Sequence, residues 1–205
     1  MKLIEKKLSD FAEVLSSDAP APGGGSVAAY NGALGISLTH MVCALSIGRK
    51  KYAEYEDLLK EVMQEAANIR DELLALVDRD TEAYNGVTKV FSMPKENDDE
   101  KAQRASAMQS ALKLCTLVPH ETMTFAHKAL LLTERIVGKS NENAASDLGV
   151  AALNLKAAVQ GAWLNVQINL DGIKDEEFVN DCRAKSEYIL NESIVIADGI
   201  SKKLS

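Results

Sequence analysis

Aromatic side chains make up only 5% of this 205-residue sequence, which also has just four prolines and three cysteines. With so few aromatics and breakers, and with abundant Ala, Leu, Glu and Lys, helix is the expected state of nearly every segment, and no convincing strand is found. Cys43, Cys115 and Cys182 lie far apart, are odd in number and never form Cys-x-x-Cys, which argues against a disulfide framework or a zinc ribbon and for buried, reduced thiols. Positive charge is also short: 23 Lys and Arg against 30 Asp and Glu leave a net charge of −7, which argues against a nucleic-acid partner. The first ten residues alternate Lys and Glu with a few aliphatics. No apolar run approaches the length of a signal sequence or membrane span, so no membrane partner and a cytoplasmic location are expected. There is no Gly-Lys-Ser/Thr phosphate loop, no Gly-x-Gly-x-x-Gly after a strand and no His-Glu-x-x-His. His120, Glu121 and His127 lack metal-ligand spacing, and no metal site is expected. The length fits one domain over residues 1–205.

What is present is organised around Pro20-Ala21-Pro22-Gly23-Gly24-Gly25-Ser26 and the small residues that follow to Gly35. Two prolines keep the approach extended, three glycines strip the backbone of Cβ atoms, and Ser26 is placed to cap the next helix. Bare amides at a helix start favour a carboxylate, a phosphate or a polarised carbonyl. The competing reading is a lead-in that only lets two helices pack closely.

Along the chain, Ser9 is expected to cap a short helix to about residue 16. Residues 26–47, small or aliphatic on all sides, describe a helix enclosed by its neighbours, ended by Gly48. Arg49, Lys50, Lys51 and Tyr52 then form a cationic corner, which suits either a helix dipole or an acidic ligand tail. A helix over 53–91 carries the stripe Val62, Ala66, Ile69, Leu73, Leu76, Asp80, Tyr84 and Val87. Asp80 stands where an aliphatic residue belongs, so it needs either a structural partner such as a helix N-terminus or a wet pocket. A loop over 92–99 leads to a helix over 100–137, which Pro119 is expected to kink or break near Val118. Gly138 stops it. Residues 140–147 open a helix to about 170, with Asn143 and Asp147 near its start and Asn165 and Asn169 on one face near its end. Gly172 closes that helix, and 175–204 is the last.

Short connections imply antiparallel neighbours, so the fold class expected is an all-α, up-and-down bundle of long helices. Two polar clusters follow. At the lower end are Gly23, Gly24, Gly25, Ser26, Asp80, Tyr84, Asn165 and Asn169, with the descending helix reaching the glycine level near residue 75. At the upper end are residues 49–52 with Asn141, Asn143 and Asp147, about 30 Å away. An isologous, antiparallel homodimer would bring the lower cluster of one subunit beside the upper cluster of the other, with the sites at the interface.

Five segments together resemble a family: Pro-x-Pro-Gly-Gly-Gly-Ser-Val-Ala-Ala at 20–29, Ile-Gly-x-Lys-Lys-Tyr at 47–52, Asp-x-x-Ala-Tyr at 80–84, Asn-x-x-Ser-Asp-x-Gly-Val-Ala-Ala at 143–152 and Asn-Val-x-Ile-Asn at 165–169. They are similar to the cyclodeaminase/cyclohydrolase family, which includes the C-terminal domain of formiminotransferase-cyclodeaminase and stand-alone methenyltetrahydrofolate cyclohydrolases. The resemblance implies an all-helical dimer acting on a tetrahydrofolate derivative, polyglutamylated or not, with no cofactor beyond that substrate. Arg49 stands where many relatives are expected to have Lys. The implied reactions are ring opening of 5,10-methenyltetrahydrofolate by water, or closure of 5-formiminotetrahydrofolate with loss of ammonia. Both shuttle protons around one tetrahedral carbon, a task for a partly buried carboxylate. Asp80 and Asp147 are the two catalytic candidates. Asn143, Asn165 and Asn169 are expected to bond the pterin or orient water, the glycines and Ser26 to admit a ring edge or carboxylate, and Lys50 and Lys51 to meet the glutamate tail. The missing formiminotransferase half tilts the expectation toward the cyclohydrolase. A non-catalytic folate-binding or helical interaction module, and a purely structural helical protein, are the alternatives from other classes.

Overall fold

The computed structural model describes residues 2–204. It contains six α-helices: α1 (Leu8–Leu15), α2 (Gly24–Ala44), α3 (Glu56–Phe91), α4 (Asp98–Arg135), α5 (Ala145–Leu170) and α6 (Glu176–Leu204), and no strand among the described residues. Short 3-10 turns occupy Leu3–Glu5, Lys50–Tyr55 and Glu142–Ala144.

The helices alternate up and down, as cross-chain pairs record. Gly25 lies opposite Asp80 and Gly32 opposite Leu73, so α2 and α3 are antiparallel; Gly24 faces Asn165 and Gly35 faces Leu155, so α2 and α5 are antiparallel too. Thr39 and Thr133, with hydroxyls 2.7 Å apart, join α2 to α4 running parallel. The close approach comes from small residues: a Cβ on Gly35 would sit 2.7 Å from Leu155 Cγ and 3.0 Å from the Ala151 carbonyl oxygen. Ile36, Leu59, Leu73, Leu76, Leu130 and Leu155 are fully buried in the core that results. All three cysteines are buried and free.

Several local expectations change. α2 starts at Gly24 with Gly23 as its N-cap, so Ser26 is the third helical residue and not the cap. Lys7, not Ser9, precedes α1, with no side-chain cap bond. The approach to the glycines is not simply extended, because the Ala21–Pro22 peptide is cis. The Lys50–Tyr55 turn delays α3 to Glu56, and Asp80 rather than residue 75 stands at the glycine level. α4 begins at Asp98, because Asn97 accepts from the Glu100 amide at 2.9 Å while Glu100 accepts from the Glu96 amide at 2.8 Å. Pro119 does not break α4, which runs through it.

α2 is also less enclosed than expected. Leu34, Met41 and Leu45 line an uncovered side of it, and by length and composition α2 is apolar enough to cross a membrane, the one exception among the described residues to the expected lack of such a run. Half of that stretch is buried against the other helices.

α6 runs parallel to α4 along a seam with two equivalent contacts one heptad apart. His120 Nδ1 lies 2.8 Å from Ser186 Oγ, and His127 Nδ1 lies 2.9 Å from Ser193 Oγ. Burial holds both imidazoles below the usual histidine range; Lys185 adds to this at His120, while Asp181 and Glu121 oppose it there and Glu192 opposes it at His127. A depressed native pKa gives stability that is present above the ordinary value of 6.5 and lost as pH falls from there through the lowered native one. Thermal unfolding is therefore expected to move to lower temperature between pH 7 and pH 5, and His120→Gln with His127→Gln to flatten that dependence; an unchanged slope in the double variant would contradict it.

Candidate functional site

At the lower end of the bundle a cleft of about 320 Å³ opens between the glycine loop, the lower parts of α3 and α5 and the middle of α4. Gly23, Gly24 and Gly25 form one wall, Asp80 and Tyr84 come from α3, Cys115 from α4, and Asn165, Ile168 and Asn169 from α5. The helix periodicity explains the set: 80 and 84, and 165 and 169, are four apart and so share a face.

Asp80 is the charged group in this wall. Burial raises its pKa from 3.8, opposed by bonds from the Ser26 hydroxyl and the Ser26 backbone N–H. It thus lies at the N-terminus of α2, where a free amide and the helix dipole hold a negative charge. The partner offered as a structural explanation and the wet pocket offered as a functional one are both present. Gly25 makes the arrangement possible. A Cβ there would lie 2.8 Å from Asp80 Oδ2 and closer still to Oδ1 and Cγ, so any side chain at 25 would take the carboxylate's place.

Ser26 is fully buried and sits behind Asp80 rather than in the cleft wall. Its Oγ lies 2.9 Å from the Val77 carbonyl oxygen and 3.0 Å from Asp80 Oδ2. A hydroxyl has one hydrogen. With Asp80 ionised, that hydrogen goes to the carboxylate. With Asp80 protonated, it turns to Val77 and the hydroxyl accepts from the acid. Ser26 therefore suits both protonation states of Asp80.

Asn165 Nδ2 donates to the Gly161 carbonyl at 2.9 Å on its own helix, whereas Asn169 Nδ2 donates to the Cys115 carbonyl at 2.8 Å across to α4. Sequence reasoning missed Cys115 and Ile168. Ile168 shares the Asn165 face and was legible there; Cys115 carried no local signal. Burial and the nearby Asp80 charge push the Cys115 thiol up to about 11, so it stays protonated at neutral pH.

The upper cluster does form, but apart from the cleft. Lys51 Nζ pairs with Glu142 at 2.6 Å, the Glu142 amide donates to Tyr52 Oη at 3.1 Å, and the Asn141 amide donates to buried Ser46 Oγ at 2.7 Å. These bonds tie the turn after α2 to the turn before α5. Lys50 and Asn143 are exposed, and Asp147 is half-buried in the first turn of α5. From Asp147 to Asn165 is about 27 Å along α5. Asp147, Asn143, Lys50, Lys51 and Tyr52 therefore do not meet Asp80 within one subunit. Among the described residues, no three His, Cys, Asp or Glu side chains converge as a metal site would need.

Comparison with known proteins supplies the remaining context. The chain is 39% identical over 186 residues to a methenyltetrahydrofolate cyclohydrolase of Methylorubrum extorquens, covering 91% of this chain and 89% of that one. It is 33% identical over 191 residues to a formimidoyltransferase-cyclodeaminase of Gallus gallus, covering 93% of this chain but only 35% of the longer relative. Its fold matches the crystal structure of a formiminotetrahydrofolate cyclodeaminase from Thermotoga maritima with a TM-score of 0.81 and 28% identity, over 98% of this chain and 94% of that one. The family model described as formiminotransferase-cyclodeaminase matches residues 7–188, and the chain belongs to that family.

Proposed function

We propose that this protein is a methenyltetrahydrofolate cyclohydrolase whose reaction centre is the cleft beside Asp80. The observation that carries the reading is a partly buried carboxylate with a raised pKa, held by Ser26 and open to a cleft lined by two asparagines. The 5,10-methenyl bridge is cationic, and a carboxylate in a half-dry wall attracts it more strongly than one in water does. Ionised Asp80 takes a proton from water as its oxygen bonds to the methenyl carbon. The same proton passes to N5 as the C–N5 bond opens, and the carbinol proton leaves as the formyl C=O forms on N10, so one proton is released overall. Ser26 rotates between Asp80 and Val77 as that carboxylate changes state. Asn165 and Asn169 bond the pterin or the attacking water.

The preference for hydrolysis over ammonia release follows the Methylorubrum relative, which matches over nearly its whole length at higher identity. Chain length does not choose between the reactions, because the Thermotoga cyclodeaminase is of similar size. Following the methenyl chromophore decides: loss of 5,10-methenyltetrahydrofolate faster than its spontaneous hydrolysis supports the cyclohydrolase. A rise from 5-formiminotetrahydrofolate with ammonia release, and no such loss, supports the cyclodeaminase.

The active form in this reading is a homodimer. Val150, Leu153, Leu164 and Ile168 form an uncharged exposed stripe on α5, with Leu153, Leu164 and Ile168 at 61%, 66% and 72% exposure, next to Leu34, Met41 and Leu45 of α2. Such a face on a soluble domain calls for a partner. The α5 stripe is symmetric about residues 158 and 159. Laid antiparallel on its own copy, Leu153 meets Leu164 of the partner subunit and Val150 meets Ile168 of the partner subunit, as an isologous contact requires. That register brings Asp147 of the partner subunit level with Asn169. It offers Asp147, Asn143, Lys50 and Lys51 a route to the substrate, the lysines toward a glutamate tail. Leu153→Glu is expected to give a helical monomer with activity reduced at least tenfold; a fully active monomer by light scattering would contradict the composite site.

A further inference from the structure

Pro119 lies inside α4, well away from either helix end, yet the helix continues through it. Proline has no backbone N–H, so the carbonyl of Cys115, four residues back, receives no bond from residue 119, and the ring pushes that carbonyl outward. A buried carbonyl left without a donor is costly. Here the donor is Asn169, whose Nδ2 reaches it from α5 at 2.8 Å. Asn165, on the same face one turn earlier, instead satisfies its amide on its own helix through Gly161. Because a carbonyl oxygen only accepts, the contact with Cys115 also fixes which way the Asn169 amide points: nitrogen toward α4, Oδ1 away from that bond.

We propose that Pro119 is a positioning residue for the cleft. By withholding its N–H and pushing the Cys115 carbonyl out of the α4 ladder, it turns that carbonyl toward Asn169, locking the Asn169 amide so that Oδ1 is presented as an acceptor to an N–H or O–H donor of the substrate or the attacking water. Pro119 touches no substrate itself. The inference rests on the folate reading only for the substrate used in the kinetic test.

Pro119→Ala restores an N–H that draws the Cys115 carbonyl back along the α4 axis and away from Asn169. Alanine is the better helix residue, so the variant is expected to unfold at the same or a higher temperature than wild type. Its kcat/KM for 5,10-methenyltetrahydrofolate is expected to fall about tenfold, as loss of one oriented hydrogen bond does. Asn169→Ala is expected to lose at least as much, and the double variant to be no worse than Asn169→Ala alone. Independently of any substrate, the Asn169 side-chain NH₂ resonances are expected to exchange slowly with solvent in wild type and to move to free-amide behaviour in Pro119→Ala. If wild type does not turn over the methenyl substrate, the functional reading fails and the NMR comparison alone decides this one. Unchanged Asn169 resonances in Pro119→Ala, or kinetic losses that add in the double variant, would overturn the proposal.

Discussion

Asp80→Asn is expected to lose turnover by roughly 10²–10⁴-fold, the range for removing a positioned general base, while remaining folded and becoming more stable. The gain in stability follows from linkage. Burial raises the native pKa of Asp80 above 3.8, so wild type loses stability as pH rises from that value through the raised one. The asparagine variant has no charge to bury. Its advantage is therefore absent at pH 3, grows through the window above 3.8 and is constant beyond the raised pKa. Thermal unfolding of both proteins against pH measures it; a variant that is less stable at neutral pH would mean that the contacts of Asp80 with Ser26 outweigh its desolvation. The rate profile carries a second sign. Wild-type kcat/KM is expected to fall in acid with an inflection above 3.8, and the acid limb of kcat to lie lower, because the cationic bridge in the complex favours the carboxylate.

Gly25→Ala is the second large effect, expected to approach the loss seen with Asp80→Asn although it adds only a methyl group. The methyl would occupy the position of the Asp80 carboxylate, which must swing away and give up its bonds with Ser26. A Cβ at Gly86, inside the C-terminal part of α3, meets nothing within 4 Å, so Gly86→Ala serves as the control and is expected to stabilise by about 0.5–1 kcal/mol without changing kcat. A Gly25→Ala protein with normal kcat would show that the placement of Asp80 against α2 is not required. The loss in Gly25→Ala is expected in kcat rather than KM, since the displaced group is the proposed base and the cleft remains open.

The convergence of Gly25, Asp80, Tyr84, Asn165 and Asn169 was legible because helix rise and up-down alternation fix the height of each residue, and one carboxylate broke an apolar stripe. Heights were still off by five residues at α3, in part because a 3-10 turn over Lys50–Tyr55 crosses the top of the bundle before the descent begins. Ser26 read as a cap and is instead a buried partner of Asp80. Only the tertiary fit shows the helix starting two residues earlier, with the carboxylate from α3 meeting its free amide. Pro119 read as a kink or a break, and the break does not occur, because the sequence does not reveal that a side chain 50 positions later satisfies the carbonyl it frees. α2 read as enclosed on every side. Its composition reports burial without saying whether α3, α4 and α5 or a second subunit provides it, and the uncovered side of Leu34, Met41 and Leu45 leaves room for both.

The most direct test is the initial rate of methenyl chromophore loss for wild type and Asp80→Asn, side by side with the no-enzyme rate in a buffer of low catalytic power. Wild type is expected well above the spontaneous rate and Asp80→Asn close to it, with both proteins eluting and unfolding as intact dimers. A wild-type rate equal to background, or an Asp80→Asn enzyme as fast as wild type, would contradict the assignment of the reaction to this cleft.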